Sequence, residues 1–385
     1  MSFSSIILQW FKKNGRALPW RETRDPYAIW LSEIILQQTR IEQGRPYWER
    51  FMRRWPTVND LAAASEDEVL REWQGLGYYS RARNLHTTAK QIVALGHFPD
   101  TYDEIRRLKG VGDYTAAAIG SIAFDLPIAV VDGNVYRVLA RHFGISTPIN
   151  TTEGKKEFAA LAQELMENGE FRMENYDYHE GCNQGVQGNH NSQFSTLNSQ
   201  LNNYSQYNQA MMDFGAMQCT PTSPDCMACP LAETCSALRE GRVGELPVKR
   251  KTLKVKERHL TYIYIRYQGE TVLHRRPAGD IWQGLYEPLV MEKGKFRMEN
   301  YDYTEDSNQG VQGNHNFQFS ILNSQLIRKN VKHVLTHQII YADFYLWEPT
   351  KRPSLSEDYF WVKEEDIDQY GVPRLVELLL EELHK

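Results

Sequence analysis

Leu108-Lys-Gly-Val-Gly-Asp-Tyr-Thr-Ala-Ala-Ala-Ile119 is the stretch on which the fold turns. A Gly-Val-Gly turn running into a small-residue helix leaves backbone N–H groups free at a helix start. That geometry accepts a phosphate oxygen without reading a base. A Gly-x-Gly alone is also a tight interhelical turn, but Leu108 before it and the alanine-rich helix after it favour a helix-hairpin-helix, with Gly110, Val111 and Gly112 at its tip. Outward from this point apolar residues recur at helical spacing in Ile6–Phe11, Tyr27–Ile41, Tyr47–Trp55, Asp67–Trp73, Arg81–Leu95, Tyr102–Leu108, Thr115–Phe124, Val135–Phe143 and Lys155–Met166. Asp25-Pro26 and Pro99-Asp100 supply starts, and Gly96 and Gly144 supply stops. The first half therefore reads as all-α.

From Arg258 the pattern changes. Leu260–Tyr267 is β-branched and aromatic, Gly269-Glu270 is a turn, and Thr271–His274 reads as the hairpin partner. Ile339–Trp347 is a further strand, and Val372–Leu383 with Pro373 is a closing helix. Between the halves, Ser236–Arg258 holds eight Lys/Arg against three Glu, which suits a solvated linker or a phosphate-facing connector. One feature fits neither half. Phe171–Leu201 and Phe296–Leu326 match at 26 of 31 positions, rich in Asn, Gln and Ser. Near-identity confined to one segment in two unlike contexts reads as two insertions of one element, expected as flexible surface loops. Cys182 in the first copy is Ser307 in the second, so it stays outside any metal argument.

The chain has 385 residues, 41% hydrophobic and 24% charged, enough for two or three ordinary domains and unlike a disordered or fibrous chain. A net charge of −5 excludes a uniformly basic nucleic-acid coat while leaving room for a local basic face. The most apolar run, Tyr114–Val131, is interrupted by Asp125 and Pro127, so no membrane span is expected. No basic start followed by an apolar core opens the chain, and the expectation is a cytoplasmic protein.

Four residue sets carry chemistry. Cys219-x6-Cys226-x2-Cys229-x5-Cys235 packs four thiolates into 17 residues, with prolines at 221, 224 and 230. Four-cysteine ligation serves zinc or a [4Fe–4S] cluster, and the single Cys-x2-Cys unit favours iron–sulfur, in a structural role since no partner redox motif is visible. Glu33 has Trp30 and Leu36 on its own helix face. Desolvated there, it would hold a proton near neutrality; on a polar stripe it would be ordinary. Gln37-Gln38-Thr39 follows, able to probe bases or merely to cap. Asp132 ends the apolar run Ile128–Val131 at a helix start, a position for a cap, for a catalytic carboxylate, or for both. Gly75–Tyr79 with Arg81 and Arg83 sets aromatic residues beside basic ones, useful for intercalation or simply a core loop.

LPWR at 18–21, SEIILQQT at 32–39, GLGYYSRARNLH at 75–86, LKGVGDYTAAAI at 108–119, VVDGNVYRVLAR at 130–141 and YNQAMMDFGAMQC at 207–219 with the cysteine run together resemble the adenine DNA glycosylases, the MutY family. The similarity covers nearly all of residues 8–260 outside the first insertion. It implies a multidomain chain. An all-α helix-hairpin-helix glycosylase domain with a [4Fe–4S] loop would span 1–237 (insertion 171–203). A basic connector would follow at 238–257, then a C-terminal α+β Nudix-like domain at 258–385 (insertion 296–326).

The resemblance implies excision of adenine opposite 8-oxoguanine or guanine from double-stranded DNA, by a monomer. Glu33 would be the general acid and Asp132 the carboxylate that stabilises the sugar cation, with Tyr114 and Asn134 holding the pair in register. Trp20, Arg21 and Gln209 fall at the adenine pocket. Gln38, Thr39, Arg40, Leu76, Gly77 and Tyr78 fall around the DNA and the opposite base. The cysteine loop and Gly110–Gly112 would grip phosphates. The endonuclease III branch carries a lysine at the position of Tyr114, so the chain is expected to be monofunctional.

Gly279–Tyr286 matches the family's lesion-reading domain, and Leu335-Thr336-His337 stands where the family has Phe-Ser-His. Thr336 keeps the hydroxyl beside His337, while Leu335 removes an aromatic contact. No Arg-Glu-x-x-Glu-Glu pattern occurs in 257–385, which argues against nucleotide hydrolysis. Two alternatives stay open: an iron–sulfur DNA-binding protein with impaired catalysis, and a bifunctional glycosylase/lyase.

Overall fold

Helices form where the apolar spacing and the caps coincide. In the computed structural model, which describes residues 2–167, 204–250, 255–292 and 324–385, they are α1 (Phe3–Asn14), α2 (Pro26–Ile35), α3 (Ile41–Arg54), α4 (Val58–Ala63), α5 (Glu66–Glu72), α6 (Ser80–Leu95), α7 (Tyr102–Arg107), α8 (Asp113–Phe124), α9 (Gly133–Phe143), α10 (Thr152–Glu167), α11 (Tyr204–Asp213), α12 (Ser236–Arg239) and α13 (Arg374–Leu383). Gly144 ends α9 in the left-handed conformation expected of a C-cap. The periodic run Tyr27–Ile41 is not one helix. It stops after Ile35, Gln38 turns left-handed at φ 57°, and α3 starts afresh, because the polar Gln37-Gln38-Thr39 cluster cannot extend a buried face.

The described residues divide into two compact units. The first comprises Met1–Trp48, Met52–Asn59 and Thr87–Lys251; the second comprises Glu49–Phe51, Asp60–His86 and Thr252–Lys385. In the first, α9, α10 and α11 close a core around Leu139, Phe158, Tyr207 and Phe214. A neighbouring cluster packs Ile29 of α2 against Ala117 and Ala118 of α8. The alanines let these two helices approach closely, so residues on their facing sides share one cleft.

The second unit contains two sheets built from β1 (Lys256–Ile265), β2 (Glu270–Arg275), β3 (Tyr286–Glu287), β4 (Leu289–Glu292), β5 (Gln325–Val334), β6 (Gln338–Trp347) and β7 (Tyr359–Lys363). The orders are β4-β1-β6-β5 and β3-β2-β7. β1 runs parallel to β6 from Lys256↔Gln338 to Ile265↔Trp347 and antiparallel to β4 on its other edge. The expected β1–β2 hairpin is therefore corrected. The turn is present, with Tyr267 and Glu270 exchanging backbone bonds of 2.9 and 3.0 Å. Pairing stops there: β6 holds one edge of β1, β4 holds Leu260–Ile263 of the other, and β2 pairs with β7 and β3 instead. The closing helix α13 follows Pro373 as expected and buries Leu375, Val376 and Leu379 against Tyr262 and Phe344. The two near-identical segments lie outside the described residues except at the end of the second, where Gln325 and Leu326 open β5 rather than a loop.

Candidate active site

Asp25 caps α2 by accepting the Tyr27 N–H at 3.0 Å, and Pro26 sits in its first turn. Every residue from Tyr27 to Ile35 is buried, so the helix carries Glu33 inward with its apolar neighbours, leaving it 8% exposed. Tyr114, in the first turn of α8, donates its hydroxyl to Glu33 Oε2 at 2.8 Å. Burial raises the Glu33 carboxyl to about 7; the Tyr114 bond opposes that rise, the Asp132 charge adds to it and Arg21 opposes it. Glu33 therefore retains a proton where an exposed glutamate has lost it. Burial, with the Glu33 charge next, holds the Tyr114 hydroxyl well above its ordinary range, so it remains a donor.

Asp132 caps α9. Its Oδ1 accepts the N–H groups of Asn134 and Val135, both at 2.8 Å, and its Oδ2 accepts Asn134 Nδ2 at 2.6 Å. Burial raises its carboxyl while the Val135 N–H and both Asn134 groups pull it back. The cap and the candidate catalytic carboxylate are thus one group. Asn134 is fixed in turn by Arg137, whose Nη2 reaches Asn134 Oδ1 at 2.9 Å. Arg137 also donates to the carbonyls of Gly215 at 2.5 Å and Cys219 at 2.6 Å. The first carbonyl lies within, and the second just after, a wide π-helical turn over Phe214–Gln218 that follows α11, closed by the Cys219 N–H on Phe214 O. Gly215 permits the approach, since a Cβ there would fall 2.6 Å from Asn134 O.

Glu33, Tyr114, Asp132 and Asn134 line one cleft of about 390 Å³ together with Trp20, Arg21, Gln209, Thr39 and Arg40. Its volume suits a single nucleobase with its sugar, and its wall mixes apolar surface with a few fixed polar groups. Trp20 is held edge-to-face on Trp48 at 5.6 Å, and Gln209 Nε2 donates to Ser205 Oγ at 3.0 Å. Arg16, Leu18, Ile41 and Met212 also line the cleft, and sequence reading missed them. Leu18 and Met212 stand inside the LPWR and YNQAMMD motifs, and Arg16 and Ile41 lie two residues from LPWR and QQT, but nothing in the sequence marked these four individually.

Gln38 is not among the cleft residues; it is exposed and left-handed, while Gln37 donates to Thr115 Oγ1 at 3.2 Å. At the hairpin tip Gly110 takes φ 75°, Val111 is buried, and Gly112 caps α8 with no side-chain bond to its free N–H groups. In the second unit Leu76 is buried. Gly77 takes φ 73° and its carbonyl accepts Trp73 Nε1 at 3.0 Å. Tyr78 is 49% exposed at φ 48°, and the Arg81 guanidinium lies between its ring and that of Trp73, 5.6 and 5.0 Å from the two centroids. The Tyr78 hydroxyl meets Thr336 Oγ1. Thr336 and His337 are exposed in the turn joining β5 to β6.

Residues 31–167 match the model of the HhH-GPD superfamily base excision DNA repair proteins, and 261–382 match that of the NUDIX domain. The adenine DNA glycosylase of Buchnera aphidicola subsp. Schizaphis graminum is 33% identical over 287 residues, covering 74% of this chain and 73% of that protein. That of Mus musculus is 37% identical over 256 residues, covering 64% of this chain and 43% of that protein. The chain belongs to the adenine DNA glycosylases. A solved thermostable thymine-DNA glycosylase superposes with a TM-score of 0.50 at 27% identity, over 62% of this chain and 95% of that one. As an adenine DNA glycosylase the chain is a hydrolase of N-glycosyl bonds that removes adenine in base excision repair, and DNA is its partner. No helix among the described residues is long and apolar enough to cross a membrane.

In this glycosylase Cys219, Cys226, Cys229 and Cys235 follow from the end of the π-helical turn, and all four are free thiols, half-buried. Among the described residues no three His, Cys, Asp or Glu side chains converge on one ion position. Four cysteine thiolates can hold a zinc ion or, one per iron, a [4Fe–4S] cluster. Burial, with the neighbouring thiols adding to it, raises Cys226, and burial raises Cys229 to about 11, so these two would have to give up a proton to ligate a metal. Arg141 Nη1 donates to Cys219 Sγ at 3.4 Å, a cation beside a sulfur that would be anionic if it held a metal. The donor set fits an iron–sulfur cluster.

Proposed function

We propose that the chain releases adenine mispaired with 8-oxoguanine or guanine by a hydrolytic, monofunctional route. The observation that carries this reading is a buried, proton-retaining Glu33 in the same cleft as the Asp132 carboxylate. The adenosine is flipped out of the stack, since its glycosidic bond cannot be reached inside it. Glu33 donates its proton to adenine N7. The C1′–N9 bond breaks with its electron pair going to the base, and the sugar becomes an oxocarbenium-like cation. Asp132, held by Asn134 and the start of α9, stabilises that cation or bonds to it transiently. Water then adds at C1′ and gives its proton to the Glu33 carboxylate. One acid and one carboxylate serving a common cation is the logic of sugar hydrolysis. Tyr114 offers no amine for a Schiff base, which favours hydrolysis over lyase chemistry.

Trp20, Arg21 and Gln209 hold the base; Gln38, Thr39, Arg40, Gly77 and Tyr78 meet the opposite strand; Thr336 and His337 read the lesion. Gly110–Gly112 takes a phosphate. Cys219, Cys226, Cys229 and Cys235 hold a [4Fe–4S] cluster, which when bound supplies a rigid anchor for its loop.

Single-turnover adenine release, from an A:8-oxoguanine duplex against an A:T control, tests this reading. Release confined to the mispair is expected, and Glu33→Gln should slow it by about 10²–10⁴-fold while keeping duplex affinity. A wild-type chain that binds without release removes the reading. Undiminished release by the variant removes Glu33 as the acid.

A further inference from the structure

Asp213, the last residue of α11, is fully buried, and it is ringed by two guanidinium groups that both line the cleft. Arg16 gives it a backbone N–H at 2.9 Å on Oδ2, an Nε at 2.8 Å on Oδ1 and a further Nη2 contact on the same oxygen. Arg21 grips it in fork fashion, Nη1 on Oδ2 and Nη2 on Oδ1, both at 2.8 Å. Arg21 Nη1 also donates to Arg16 O at 3.0 Å. A carboxylate has about four lone-pair sites, and these five donors exhaust them. Burial works against this charge, but the bonds from Arg21 and Arg16 outweigh it and hold the carboxyl below its ordinary value.

Two like charges side by side in a half-dry cleft repel each other. With Asp213 between them the trio carries one net positive charge, and the sum is fixed in space. Glu33 is exposed to it: the charged or titratable groups around Glu33 are Arg21 from the turn before α2, Tyr114 from α8, Asp132 from the start of α9, and Arg16, Arg40 and Glu42 along the cleft wall. Arg21 is the cation among them that opposes the proton-retaining effect of burial.

We propose that Asp213 is a positioning residue for adenine release, acting through Arg21. By pinning the Arg21 fork it keeps a cation and its remaining donors facing the leaving base, and it limits how tightly Glu33 holds its proton. This rests on the assignment of Glu33 as the acid. Asparagine at 213 offers one acceptor and one donor; the donor collides with an arginine N–H, so the two cations cannot both stay and Arg21 is released.

The test is single-turnover adenine release across pH 5.5–9 for the wild type, Asp213→Asn, Arg21→Met and the double variant. Asp213→Asn is expected to lower the low-pH plateau at least tenfold and to move the alkaline limb to higher pH. Arg21→Met should do the same, and the double variant should be no worse than Arg21→Met. A plateau that falls with the limb unmoved, or losses that multiply in the double variant, would mean that Asp213 only supports the fold. Should Asp213→Asn fail to fold, Arg21→Met still decides, because Asp213 keeps its bonds to Arg16. A limb and plateau at wild-type values in that variant overturn the proposal. A wild type that releases no adenine rejects the glycosylase reading instead.

Discussion

Glu33 shows how a single side chain links folding to chemistry. Trp30 and Leu36 marked an apolar face for it but left a polar stripe equally open; the structure buries all of Tyr27–Ile35, and that burial raises its carboxyl to about 7 against an ordinary 4.5. The sign follows from which state binds the proton more tightly. Below the unfolded value both states are protonated and nothing is lost. As pH rises from about 4.5 to about 7 the unfolded chain loses the proton first, so stability declines through that window and then levels. The full difference is about 3 kcal/mol at most. Glu33→Gln keeps the Tyr114 contact and removes the titration, so its melting temperature should exceed that of the wild type at pH 8 and converge with it at pH 4.5. Equal melting at both pH values would mean that Glu33 is as solvated as a surface glutamate. Asp213 was not legible in this way. Its partners lie 192 and 197 positions away, and no local periodicity joins them.

At the scale of elements, helices with caps were readable because cap and periodicity are local signals. The β1–β2 pairing was misread because a tight turn looks the same whether its strands stay together or part into two sheets. The π-helical turn over Phe214–Gln218 was equally silent, although it sets the site. It brings Gly215 against Asn134, which braces Asp132, and it ends at Cys219, whose carbonyl Arg137 grips. A methyl group at 215 would sit 2.6 Å from Asn134 O and 2.7 Å from Asn134 Cβ, so backbone must shift. Overpacking of this kind costs about 1–3 kcal/mol. Gly215→Ala should therefore lower the melting temperature by a few degrees and slow single-turnover adenine release about tenfold or more, since Asn134 and the cap it braces move together. A variant that melts early but cleaves at the wild-type rate would show that the Asp132 brace tolerates displacement.

At the scale of the molecule, the surprise is the company kept by residues 60–86. Helical periodicity states that this segment has an apolar face but not what covers it. It belongs to the same unit as the C-terminal sheets. Arg275 pairs with Glu66 and Asp67 at 3.0 and 2.8 Å, Tyr286 donates to Asp67 at 3.0 Å, and Arg83 donates to Gln283 O at 2.6 Å. Gln74 donates to Glu377 at 2.7 Å, and Leu70 approaches the backbone at Gly284. The exposed ion pairs contribute little individually, about 0–1 kcal/mol each. Loss of the Leu70 approach at Gly284 and of the half-buried Arg83 and Gln74 bonds weighs more. A chain ending at residue 250 therefore loses more than the sheets: it strips the partners from the segment that carries Tyr78. Such a chain should melt several degrees below the intact protein and release adenine more slowly even from an A:G duplex, where no 8-oxoguanine is present to be read. If the shortened chain matched the intact one in melting and in A:G turnover, with only the 8-oxoguanine preference lost, residues 60–86 would hold their shape unaided and the C-terminal sheets would serve lesion reading alone.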